Sequence, residues 1–148
     1  MRILGLALLL TGTMLANNLL AQTPAADPVG TVAEIMGTIL YPAGDAVFYI
    51  TSRTPKNPAE WVALEQKTLM LAESANLLTM PGRARDQDRW MKDAGLLRDA
   101  GRAAYAAAKA RDVDGLAALS DQLYLACVTC HVDYRPNFRR PAAAPPAQ

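Results

Sequence analysis

Two cysteines and the chain's single histidine fall within five residues, Cys127-Val128-Thr129-Cys130-His131. On a helix, side chains three and four positions apart share a face. Both thiols and the imidazole are therefore expected within one turn. Two thiols so placed can add to two vinyl groups along one porphyrin edge, and an imidazole beside them can reach the iron. C-x-x-C-H is the attachment signal for c-type haem. Cys127 and Cys130 are the expected thioether residues, His131 the expected axial iron ligand, and one covalent haem c the expected cofactor.

Other chemistries compete for the same residues. Two exported cysteines can form a disulfide, and C-x-x-C also occurs in redox folds. Thioredoxin-like chemistry needs a βαβ context, and no such pattern is visible. A closed tetrahedral zinc site takes four ligands, one more than this cluster supplies. A surface histidine leaves the cysteine spacing unexplained.

Export fits the haem reading, since c-type haem is attached outside the cytoplasm. Residues 1–21 read as a signal peptide: Met1-Arg2 begins it, and an apolar run follows through Leu20. A membrane anchor is the competing reading, but a spanning helix needs about 20 predominantly apolar residues. Thr11, Gly12, Thr13, Asn17 and Asn18 interrupt this run. Cleavage is expected after Ala21, with Ala16 as the other candidate, giving a periplasmic protein with no membrane segment. The 148 residues suit one modest domain. With 15 basic against 14 acidic side chains, the balance does not fit a nucleic-acid binder. Aromatic residues, at 6%, leave little surface for stacking bases.

The elements that must position the cluster read as helices. Residues 22–28 form a linker, 29–136 the domain, and 137–148 a disordered Pro/Ala-rich tail. Four stretches within the domain show three-and-four apolar spacing. The first spans Val29 to Ile50, with Thr31 and Glu34 as a capping box. Pro42 should bend it or split it in two. The second spans Ala59 to Leu78 and stops at Met80-Pro81-Gly82. The third runs from Asp86 to Ala110 on a stripe holding Trp90, Ala94, Leu97, Gly101 and Ala104. Asp112 to Gly115 reads as a turn. The fourth runs from Leu116 to Arg135, with Leu123, Cys127, Cys130 and Tyr134 on its stripe, and Pro136 stops it. Trp61 and Trp90 are expected core anchors, and Arg83–Asp88 and Lys109–Asp114 solvated loops. Helices of this length with mostly short connections predict an all-α fold, an antiparallel four-helix bundle with haem attached near the C-terminus.

The wider string, Cys127-Val-Thr-Cys130-His131-Val-Asp-Tyr134-Arg135, resembles the C-x-x-C-H-x-x-[Tyr/Phe]-Arg ending of class II c-type cytochromes, the cytochrome c′ and cytochrome c-556 group. The motif covers nine residues, and the helical layout extends the likeness loosely over residues 29–136. Class I cytochromes place the motif near the start of the domain. The resemblance implies that the residue facing the free side of the iron comes from the first helix. It is Met in the c-556 type and usually apolar, such as Leu, in cytochromes c′. Met36 is the matching position and the candidate sixth ligand; the competing reading is a methionine that fills core space. The resemblance also puts Arg135 near the proximal haem face, where its charge raises the potential and deters anionic ligands. An exposed arginine at a helix C-terminus, favourable with the dipole, is the simpler alternative. The family further implies a possible homodimer through the first two helices.

Met1 and Met14 leave with the signal, so Met36, Met70, Met80 and Met91 remain. Met80-Pro81 has the look of a loop ligand but reads as a helix stop. Met70 and Met91 are expected packing residues. Two functions follow from the sixth position. With His131 and Met36 as axial ligands the protein is an electron-transfer cytochrome, not an enzyme, meeting periplasmic redox partner proteins. With an open position it is a cytochrome c′-like protein that binds nitric oxide or carbon monoxide. A haem peroxidase would need distal acid–base groups. No second histidine exists, and Glu34, the nearest acid to Met36, should face water.

Overall fold

The computed structural model describes residues 27–135, 137 and 138. The expected signal peptide, residues 22–26 of the linker, Pro136 and residues 139–148 lie outside the described residues. Every element among the described residues is helical, in four stretches. The first joins α1 (Val32–Ile35), a π-helical turn (Met36–Leu40) and α2 (Tyr41–Phe48). The second and third are α3 (Pro58–Leu78) and α4 (Arg89–Lys109). The fourth joins α5 (Val113–Ala118) and α6 (Ser120–Tyr134). No described helix is long and apolar enough to cross a membrane.

Thr31 opens the first stretch with the expected capping box. Its Oγ1 accepts from the Glu34 amide at 3.2 Å, and its own amide donates to Glu34 Oε2 at 2.8 Å. Two of the four amides left open at a helix start are thereby satisfied. Pro42 neither splits the stretch nor stops it. Instead the Tyr41 amide donates to the Met36 carbonyl, five residues back. Proline lacks an N–H and its ring crowds the carbonyl four residues earlier. A widened turn just before it relieves that clash and keeps the chain helical.

Asn57 caps α3, accepting from the Glu60 amide at 3.0 Å, and Pro58 begins the helix without needing a donor. The α3–α4 connection turns through Gly82 at φ +85°, a conformation glycine adopts without steric cost. Arg83 in this connection corrects the expectation of a solvated loop. It is only 8% exposed and donates to the Gly30 carbonyl at 3.0 Å, tying the chain's beginning to the turn. The third helix starts later than expected, at Arg89, because Asp86 acts ahead of it as a cap. Asp86 Oδ1 accepts from the Asp88 and Trp90 amides, both at 3.0 Å.

The chain leaves α4 through Arg111, two residues past the helix, whose φ of 55° is left-handed. Its amide donates to Ala108 O, and the next amide, of Asp112, donates to Ala107 O. This is the double bond pattern of a Schellman end, made without the usual glycine. Residues Asp112 to Gly115 are not a free turn. Asp112 caps α5 by accepting from the Gly115 amide at 2.8 Å, so the helix begins at Val113. A break at Leu119 then separates α5 from α6.

The core lies between the stretches. Ile35, Val47, Leu71, Leu78, Trp90, Leu97, Leu116 and Leu123 are buried, as are Trp61 and Leu64. Each fully buried side chain of this size contributes roughly 1.5–3 kcal/mol. α3 and α4 make the most extensive contact, followed by α4 with α6. α3 and α4 approach each other closely at Gly101. A Cβ there would lie 2.6 Å from both the Cα and the N of Ala72. Buried Ala100, Ala104 and Ala108 keep the same side of α4 thin.

Candidate cofactor cavity

A cavity of about 900 Å³ opens between the first stretch, α3, α4 and α6. That volume is at the upper end of the range for small-molecule and cofactor sites. α6 brings Cys127, Cys130 and His131 to its wall, and α4 brings Trp90, Asp93, Ala94 and Leu97. The first stretch contributes Met36, Leu40, Gly44 and Phe48. All five residues singled out in the sequence, namely Met36, Cys127, Cys130, His131 and Arg135, line this one space.

Local folding explains their meeting. The three-and-four spacing on α6 turns Cys127, Cys130 and His131 to a common side. Leu123 and Ala126 are buried on the same helix and press it into the core. From the first stretch, Met36 opens the π-helical turn forced by Pro42. Of the four methionines outside the expected signal, Met36 alone lines the cavity. Met80 Sδ instead accepts from Arg83 at 3.1 Å, Met70 is exposed, and Met91 packs partly buried against the core.

Arg135 departs from its expected place as the last residue of the fourth helix. It stands just past α6 in extended backbone, its amide donating to the His131 carbonyl at 3.1 Å. Phe138, in the stretch read as tail, turns back so that its ring lies edge-on to His131 with 5.4 Å between centroids. The Arg135 guanidinium lies 5.9 Å from the Phe138 centroid. Glu34 is exposed and engaged with Thr31, as expected.

The electrostatics are those of a half-dry site. Burial lowers the His131 proton affinity, and the Arg135 charge lowers it further, so the imidazole is held neutral and able to bind a metal. Burial raises the Cys127 thiol. It pushes Cys130 up to about 12, with the Asp93 charge adding to the effect. Cys127 and Cys130 are both free thiols in this structure. Among the described residues, no group of three or more His, Cys, Asp or Glu side chains is placed to hold a metal ion. What the cavity offers instead is two thiols, an imidazole and, on another wall, a thioether, within a largely apolar lining that also holds Arg85 and Arg135. That donor set fits a haem: an edge to bond, an iron to ligate, and cations for its carboxylates.

Asp93 is the wall residue that the sequence reading passed over. It is 3% exposed, and burial, then the Asp133 charge, pushes its carboxyl above the ordinary range. A signal for it was present: Asp93 stands three residues after Trp90 and one before Ala94, on the same apolar stripe. Comparison with models of protein families, with curated proteins and with solved structures found no match to this chain.

Proposed function

We propose that this chain is an exported c-type cytochrome that carries one haem and transfers electrons in the periplasm. The observation that carries the reading is the convergence of Met36, Cys127, Cys130 and His131 on one cavity. Nothing in sequence proximity requires Met36 to meet a motif about ninety residues away. In this reading Cys127 and Cys130 hold the cofactor as thioethers, and His131 and Met36 are the axial ligands. Arg135 adds positive charge near His131. The bound haem supplies the one-electron couple. The chain's residues hold it, exclude water from it with Leu40, Phe48, Trp90 and Leu97, and set its potential by ligand and charge.

The ending Cys127 to Arg135 and the four helical stretches together support a class II likeness, with the stretches running up and down as an antiparallel bundle. A near-balanced surface charge suits brief encounters with redox partner proteins.

Visible and near-infrared spectra of protein matured in a bacterial host test the proposal. The expected result is one haem that resists acid-acetone, in low-spin ferric form with the weak near-infrared thioether-to-iron band. High-spin iron that binds carbon monoxide readily would favour the five-coordinate gas-binding reading. Protein without haem would overturn both.

A further inference from the structure

Asp93 faces two spaces. One is the cofactor cavity. The other is a groove open to solvent, formed by α4 and α6 with Arg89, Lys92, Thr129 and Asp133 along its sides. Among the described residues, Asp93 Oδ2 is the one buried side-chain oxygen without a hydrogen-bond partner. A buried acceptor left unpaired costs about 1–3 kcal/mol, and more when charged. A proton on that carboxyl removes the charge. The groove is the route by which solvent can deliver one.

The charges around it have a direction. On its own helix, Arg89 and Lys92 favour the carboxylate. Asp133 on α6 and Asp86 before α4 oppose it. Arg89 is partly spent on Asp133, with which it pairs at 3.0 Å. The cavity lining also holds Asp45, paired with Arg53, the α6 groups Cys130, His131 and Tyr134, and the cations Arg85 and Arg135. α3 contributes only Leu71 and Leu78 to this space. The carboxyl therefore sits where one added negative charge in the cavity shifts its protonation.

We propose that Asp93 is the redox-linked proton acceptor of the cavity, taking one proton from solvent when the cofactor gains one electron and returning it on oxidation. The proposal rests on the haem reading above. The balance is simple. One electron from a redox partner protein converts ferric to ferrous iron, and one proton from water in the groove converts the Asp93 carboxylate to the acid. The site's total charge is unchanged, so the buried region never holds the extra charge alone.

The test is the reduction potential of the holoprotein from about pH 5 to pH 9, for wild type, Asp93→Asn and the exposed control Asp99→Asn. Haem content is measured first, by pyridine haemochrome absorbance. Wild type and the Asp99 variant should lose potential as pH rises, approaching about 59 mV per unit where one proton accompanies one electron. Asp93→Asn should lack that slope and keep a higher potential at the alkaline end. Loaded Asp93→Asn with the wild-type slope would overturn the Asp93 role and leave the haem reading standing. Wild-type protein without haem would overturn the haem reading itself. Should Asp93→Asn fail to mature, redox-difference infrared spectra of wild type labelled with 13C-aspartate decide the matter. A label-sensitive carboxylic acid band that grows on reduction supports the proposal, and its absence refutes it.

Discussion

The Tyr134 hydroxyl donates to Asp86 Oδ2, joining the last turn of α6 to the connection before α4. The other oxygen of the same carboxylate caps α4. Trp90 closes the arrangement: its ring stands edge-on to Tyr134 with 4.9 Å between centroids, and its Nε1 donates to the Leu78 carbonyl at 2.8 Å. One carboxylate and two aromatic rings thus connect the end of α3, the start of α4 and the end of α6. His131 lies three residues before Tyr134, so the turn that carries it is fixed by groups on the cavity wall.

Tyr134→Phe should lower the urea midpoint at neutral pH and broaden the His131 environment seen by NMR. The pH dependence has a definite sign. The Tyr134 bond first, then the Trp90 amide, holds the Asp86 carboxyl below its ordinary 3.8. Its contribution is complete above that value and is lost as pH falls through the lowered one. On the tyrosine side, the Asp86 bond pushes Tyr134 from 10.0 up to about 12. That contribution is complete below 10 and is lost as pH rises through about 12. Wild type and variant should therefore differ most between these limits and converge in strong acid. A midpoint difference that persists unchanged in strong acid would mean the hydroxyl acts some other way.

Two glycines of α4 should respond oppositely to alanine. At Gly101 the new Cβ meets Ala72 backbone at 2.6 Å, which only a movement of α3 can relieve. Overpacking of this kind costs typically about 1–3 kcal/mol, against a helix-propensity gain of at most about 1. Gly101→Ala should thus show a net loss, and Gly101→Val a larger one. At Gly95 the new Cβ meets nothing closer than the end of Arg98, at 3.6 Å. Gly95→Ala should gain about 0.5–1 kcal/mol. Urea denaturation of the pair checks both, and a stabilised Gly101→Ala would contradict the close α3–α4 approach.

Met36→Ala should convert low-spin to high-spin ferric haem and let carbon monoxide bind the reduced form. Met80→Ala should leave the spectrum unchanged, because the Met80 sulfur is engaged by Arg83. Met70→Ala should do the same from its exposed position. An unchanged spectrum in Met36→Ala would remove it as a ligand.

Much of the helical layout was legible in the sequence because local chemistry decides it. Thr31 with Glu34, and the Met80-Pro81-Gly82 stop, act within a few residues of themselves. The C-x-x-C-H cluster was legible for the same reason, since one helical turn settles which side its residues share. What escaped the sequence was set by distant partners. Arg83 reads as a loop charge until Gly30 is placed beside it. Asp86 reads as a helical residue, yet it serves as a cap and as a partner for Tyr134. Pro42 predicts a bend or a split, but the wider hydrogen-bond ring at Met36 keeps the stretch helical through it. Asp93 interrupts an apolar stripe, and only the cavity and the groove on its two sides give that interruption meaning.

The attachment chemistry makes the last prediction. A thioether forms when a thiol adds across a vinyl group, sulfur to one carbon and hydrogen to the other, so each cysteine must arrive reduced. Burial favours that form, holding Cys130 protonated to about 12 and raising Cys127 as well. A thiolate is the species that attacks disulfides, so the same burial slows loss of the pair to oxidation. Cys127→Ala and Cys130→Ala should each retain haem through the remaining thioether when the matured protein is extracted with acid-acetone. The double variant should release it completely, while still binding some haem before extraction through His131. Haem that stays with the double variant after acid-acetone would place the covalent bond on another residue.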